Sequence, residues 1–135
     1  MQARRARRTQ TGFTLIELMI VMAIIATLAG IAMAVYGNST TRSKEAVLKE
    51  DLFRMRDAID QYYADKNKYP PSLESLVEEK YLRAVPVDPI TNSAETWQTT
   101  PSEPDPSNPS AEPGIYDVKS GAETTSLEGT PYSEW

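Results

Sequence analysis

From Phe13 to Tyr36 the chain is almost unbroken apolar sequence, "FTLIELMIVMAIIATLAGIAMAVY", relieved only by Thr14, Glu17, Thr27 and the small Gly30. As a helix this run extends for about 36 Å at ~1.5 Å per residue, long enough to cross a bilayer. Glu17 is the only charged side chain between Arg8 and Arg42. A carboxylate in such a segment is expensive, roughly 2.5–3.5 kcal/mol at mid-membrane. Whatever the chain folds into must therefore house a membrane-length helix and supply Glu17 with a partner.

The flanks of the run set its orientation. Residues 1–12 carry four arginines, Arg4, Arg5, Arg7 and Arg8, and no acid. Such a leader stays cytoplasmic and sends the following part outward. An ordinary cleaved secretory signal would have an apolar core of only about 7–15 residues ending at a small-residue site. The run here is longer and continues into further helical sequence. A plain transmembrane anchor is the simpler alternative on hydropathy alone.

The residue types present narrow the chemistry. The chain has no Cys and no His. Thiol nucleophiles, disulfides, thiolate or imidazole metal sites and histidine acid–base work are thereby excluded. From Val85 onward there are nine acids and one base, Lys119, and an acidic surface of this kind repels phosphate backbones. Nucleic-acid binding is not expected. The part after the apolar run is long enough for a small core and no more.

After the polar step "GNSTTRS" the pattern becomes amphipathic. Leu48, Leu52, Met55, Ile59 and Tyr62 recur at helical spacing as one apolar stripe, and Glu50 and Arg54 form an i,i+4 pair on the solvated side. No proline occurs before Pro70, so one long helix is predicted from about Phe13 to about Asp65, weakest at Gly37-Asn38. "NKYPP" is expected to end it. Ser72 then caps a short helix through about Tyr81, with Leu73, Leu76, Val77 and Tyr81 as its buried face. "VPVDP" reads as a connecting turn. "ETWQTT" and "GIYDVKS" read as strands, separated by "PSEPDPSNPSAEPG", a stretch with five prolines that should be an exposed loop. Tyr62, Tyr63 and Tyr69 are best explained by core and interface packing, and Trp135 as a docked core plug.

The segment "GFTLIE", residues 12–17, resembles the class III signal of type IV pilins and type II secretion pseudopilins. In that signal a basic leader and a glycine precede Phe-Thr-Leu-Ile-Glu at the head of an apolar helix, and every element is present here. The resemblance implies that a prepilin peptidase cuts between Gly12 and Phe13 and that the new amine of Phe13 is methylated. Glycine before the cut suits a protease that needs an extended, unencumbered backbone. The new amine is cationic. It is the natural partner of Glu17, either within one helix or from an incoming subunit to its neighbour. An axial offset that left this carboxylate unpaired in a dry core would cost several kcal/mol by order of magnitude, so Glu17 reads as an assembly-register residue. One acid with no base, metal or nucleophile nearby makes no catalytic site, and no enzymatic activity is expected.

Further stretches are similar to the major pseudopilin (G-type subunit) of type II secretion: "DAIDQYYADKNKYPPSLESLV", "YLRAVPVDPITN", and "GIYDVKSGAE" with the final Trp. The resemblance implies an α+β pilin-like fold, a long N-terminal helix whose apolar half is transmembrane, packed on a small C-terminal module with a short helix and an antiparallel β-sheet. The expected divisions are a cleaved basic leader at 1–12 and a transmembrane and filament-core helix at 13–36. The amphipathic half of the same helix follows at 37–66, then a periplasmic module at 67–135 with a Pro-rich loop at 98–114. Where the family often has a proline, this chain has Ala34. Major pseudopilins also bind calcium in the C-terminal loop. The loop here offers Glu123 and Glu128 with Asp117 just upstream, and no dense aspartate cluster. These three are the calcium candidates; acids on a solvated loop are the plainer reading.

The function so implied is a structural subunit anchored in the inner membrane, N-terminus cytoplasmic and C-terminus periplasmic. It would polymerise into a periplasmic pseudopilus that drives protein export. Implied partners are copies of itself in a helical filament, the prepilin peptidase, minor pseudopilins, the inner-membrane assembly platform with its ATPase, and membrane lipid. A type IV pilin of a surface pilus serving adhesion, motility or DNA uptake is the alternative within the same class. An anchored binding module that never polymerises is the alternative outside it.

Overall fold

A computed structural model describes residues 12–104, 106–107, 110 and 112–135. Along the chain come α1 (Leu15–Lys66), α2 (Leu73–Glu78), β1 (Gln98–Pro101), β2 (Ile115–Lys119) and a 3-10 turn at Tyr132–Glu134. This is an α+β, pilin-like arrangement. By its internal contacts the chain falls into two units that meet at Gly37.

In the first unit the residues of α1 up to Gly37 are exposed along their whole length. Mean hydropathy over the most apolar 18-residue window of α1 reaches 2.6, and none of that window is buried. Thr27 sends its hydroxyl back to the Ala23 carbonyl at 2.8 Å. An apolar surround therefore finds that hydroxyl already satisfied.

In the second unit α1 supplies the core. Leu48, Leu52, Met55, Ala58, Ile59 and Tyr62 are buried along one stripe and meet Leu73 and Leu76 of α2, Trp97, Ile115, Val118, Ala122 and Tyr132. The sequence stripe thus becomes the wall of the module, with Glu50 and Arg54 paired at 2.9 Å on the solvated side as predicted. The end of α1 has a different cause from the one expected. Asn67 adopts φ 52° and donates its N–H to the Tyr63 carbonyl at 2.8 Å. That left-handed cap stops the helix ahead of Pro70, and the prolines only prevent its resumption.

Ser72 caps α2 as predicted, accepting from Ser75 N at 3.2 Å. The helix is shorter than expected, ending at Glu78, because Lys80 turns left-handed (φ 66°). Lys80 N then bonds the Val77 carbonyl at 3.1 Å and Tyr81 N the Leu76 carbonyl at 2.9 Å, a Schellman closure. Val77 and Tyr81 are half-buried in consequence. Tyr81 reaches α1 instead, through Asp65 (2.8 Å) and an edge contact with Tyr62.

β1 and β2 pair antiparallel, Gln98 opposite Lys119 and Thr99 opposite Val118, with an irregularity between Thr100 and Pro101. The Pro-rich loop expected at 98–114 consequently begins only after Pro101; its first four positions belong to β1. The irregularity sets Ile115 and Val118 both inward although they are three apart. Gly121 is where the chain passes closest to β1's approach: a Cβ there would lie 1.9 Å from the Thr96 carbonyl oxygen. The "VPVDP" turn does more than connect. Asp88 is fully buried, its Oδ1 accepting from Ile90 N (2.8 Å) and Thr91 N (3.3 Å) while Oδ2 accepts from the Ser120 hydroxyl (2.5 Å). Trp97 locks the same corner by donating Nε1–H to the Pro86 carbonyl at 2.8 Å.

Candidate functional site

The head of α1 brings together Gly12, Phe13 and Glu17. Thr14 is the cap: its carbonyl accepts from Leu18 N at 3.2 Å and its hydroxyl oxygen from Glu17 N at 3.3 Å. Glu17 is then the third helical residue, the spacing of a capping box, with its carboxylate at the positive end of the helix. The Thr-x-x-Glu pattern was the available signal for this second role. It does not account for the acid by itself. A carboxylate in the first turn gains about 0.3–1 kcal/mol from the dipole, against roughly 2.5–3.5 kcal/mol for a charge at mid-membrane. A counter-charge is still wanted.

Gly12 and Phe13 precede the helix, and Phe13 is 88 % exposed. A Cβ on Gly12 would meet nothing within 4 Å among the described residues. Among the described residues no contact requires glycine there. Arg4, Arg5, Arg7 and Arg8 lie outside the described residues.

The second group of candidates is not brought together. Asp117 turns toward α1, where its Oδ1 accepts from Arg56 Nε at 2.7 Å and from Val118 N at 2.8 Å. Glu123 and Glu128 are exposed, Glu128 on the lining of a shallow cleft shared with Lys49, Arg56 and Trp135. Among the described residues no group of three or more His, Cys, Asp or Glu could hold a metal ion. Of the three calcium candidates, the one that is partly buried faces a guanidinium.

Sequence reasoning missed the residues that do organise the C-terminal segment. Glu45 is buried on α1, its Oε1 accepting from Leu127 N at 2.8 Å and from the Tyr132 hydroxyl at 2.9 Å. Burial, then the bond to Glu45, pushes the Tyr132 phenol up to about 12. Trp135 docks half-buried beside Tyr132, with Lys49 over its ring at 4.4 Å. An acid lying on the apolar stripe was the only sign of Glu45 in the sequence.

A membrane-length helix with every apolar side chain bare, opening on a capped Phe-Thr-Leu-Ile-Glu and carrying a small α+β module, defines a pilin-like subunit. Comparison with known proteins agrees. Residues 7–33 match the prokaryotic N-terminal methylation motif. The type II secretion system core protein G of Pseudomonas aeruginosa is 34 % identical over 64 % of this chain and 72 % of its own length. That of Escherichia coli is 34 % identical over 65 % and 72 %. The type IV major pilin protein PilE1 of Neisseria gonorrhoeae is 36 % identical over 58 % of this chain, which spans only 48 % of that relative. No solved structure matches. The chain belongs to the pilin-like family that includes the core protein G of type II secretion systems and the type IV major pilins.

Proposed function

We propose that this chain is the major structural subunit of a periplasmic pseudopilus that drives protein export by a type II secretion system, and that it catalyses nothing. The observation that carries the reading is the bare apolar half of α1 headed by a lone acid. A surface of that kind needs lipid first and like helices afterwards. In this account a prepilin peptidase cuts between Gly12 and Phe13 on the cytoplasmic side and Phe13 is N-methylated. The subunit waits in the inner membrane with its C-terminal module in the periplasm. An assembly platform with its ATPase, and minor pseudopilins at the tip, then convert it into a helical filament. The methylated amine of an incoming subunit pairs with Glu17 of its neighbour and fixes the axial register.

The fuller coverage of the core protein G relatives, 72 % against 48 % for PilE1, favours export over a surface pilus. Deleting the gene separates the two: loss of secreted enzymes supports export, whereas loss of twitching or transformation with secretion intact supports a pilus. The register role has its own test. Breaking a buried ion pair by removing one partner costs roughly 3–5 kcal/mol in general. Glu17→Ala, which removes the carboxylate itself, should leave insertion and processing unchanged but abolish or sharply reduce filaments in electron micrographs. Filaments of normal number and length from that variant would refute the role.

A further inference from the structure

The C-terminal segment is organised around a cation that the chain itself supplies. Arg56, on α1, collects three oxygens from distant parts of the chain: Asp117 Oδ1 at 2.7 Å, the Val118 carbonyl at 2.9 Å and the main-chain oxygen of Trp135 at 2.8 Å. One carboxylate and two main-chain oxygens are the kind of donor set that a hard divalent cation gathers in a loop. Here a guanidinium takes them. It is permanently charged, has five N–H donors and no acceptor, and is held in a planar fork that can serve several oxygens at once.

We propose that Arg56 is the resident cation of this loop, so that residues 120–135 close onto α1 without any divalent metal.

The remaining bonds of the segment are consistent with closure from within. Ser126 N donates to the Thr130 carbonyl (2.8 Å), Gly129 N to the Ser126 carbonyl (3.0 Å) and Tyr132 N to the Thr124 carbonyl (3.2 Å). The Ser126 hydroxyl oxygen accepts from Glu128 N and Thr130 N, both at 3.2 Å. The carbonyl oxygens of Thr124, Ser126 and Thr130 are thus engaged by the loop's own amides. Two more α1 side chains on the same side of the helix complete the attachment: Glu45 takes Leu127 N and the Tyr132 hydroxyl, and Lys49 covers the Trp135 ring. A divalent ion entering beside Asp117 would have to displace a fixed positive charge, and the exposed Glu123 and Glu128 offer it nothing pre-assembled.

Hydrogen-exchange mass spectrometry of the full chain in detergent micelles tests this in two arms. In the first, the unaltered chain is compared in excess EGTA and in millimolar calcium. Protection over 120–135 should be the same in both; slower exchange in calcium would overturn the proposal. In the second, Arg56→Gln should speed exchange over 115–135 by roughly tenfold, as expected for loss of charge-assisted hydrogen bonds, while the 45–62 stretch of α1 keeps its protection. Exchange of that segment at the unaltered rate would equally overturn it. Should Arg56→Gln not fold, the first arm decides alone.

Discussion

Two carboxylates of α1 lie on its apolar faces, and each is served differently. Glu45 is buried but fully met inside the chain, by the Leu127 amide and the Tyr132 hydroxyl. The Thr14 hydroxyl meets only the backbone N–H of Glu17, and in the proposed filament the partner of its carboxylate comes from another subunit. The Glu45–Tyr132 contact has a measurable signature. Burial and the hydrogen bond favour the neutral phenol, raising it from the ordinary 10 to about 12. Because the folded state holds this proton more tightly, the stability it contributes is fully present below pH ~10 and lost as pH rises toward ~12. In tyrosinate absorbance titrations of the full chain in detergent, the difference between the unaltered protein and Tyr132→Phe should appear near pH 12. A difference centred at the ordinary value near 10 would mean that Tyr132 is not held as described. Neither Glu45 nor Arg56 was legible beforehand, since the patterns that place a residue on a helix face do not say which distant loop returns to it. Glu17 was legible, because a motif fixed its neighbours on both sides.

At the scale of elements, the sequence pattern located α1 and its end, the Ser72 cap of α2 and both strands, and overran only the end of α2. Asn67 and Lys80 stop their helices by backbone conformation, which periodicity does not encode. Lys80 is the costlier case. A non-glycine residue held left-handed carries a penalty of roughly 1 kcal/mol, and its exposed side chain makes no contact that offsets it. Lys80→Gly should therefore raise the stability of the module by about 0.5–1 kcal/mol, read as a higher thermal or denaturant midpoint of the full chain in detergent. A lowered midpoint would show that the Schellman closure is not what ends α2. The sheet irregularity at Thr100/Pro101 was likewise beyond the sequence: alternation predicts inward residues two apart, whereas Ile115 and Val118 face the core three apart.

At the scale of the whole molecule, the chain divides at Gly37 into a unit whose described residues expose a nearly all-apolar surface and a unit that buries its own core. The second is complete in itself, with the C-terminal segment held to α1 by Glu45, Lys49 and Arg56. The apolar side chains of the first are exposed among the described residues. That contrast, with the acidic second half and the arginines ahead of Gly12, is what a subunit needs if it is to sit in a membrane and then polymerise. The central claim is that the head of α1 is remade by processing, so that Phe13 gains the charge Glu17 lacks. Intact mass and N-terminal peptide mass spectrometry of the protein purified from its native membrane test it most directly. The account predicts a chain beginning at N-methylated Phe13, with the leader through Gly12 absent. A mature protein that retains the leader, or begins anywhere other than Phe13, would contradict it.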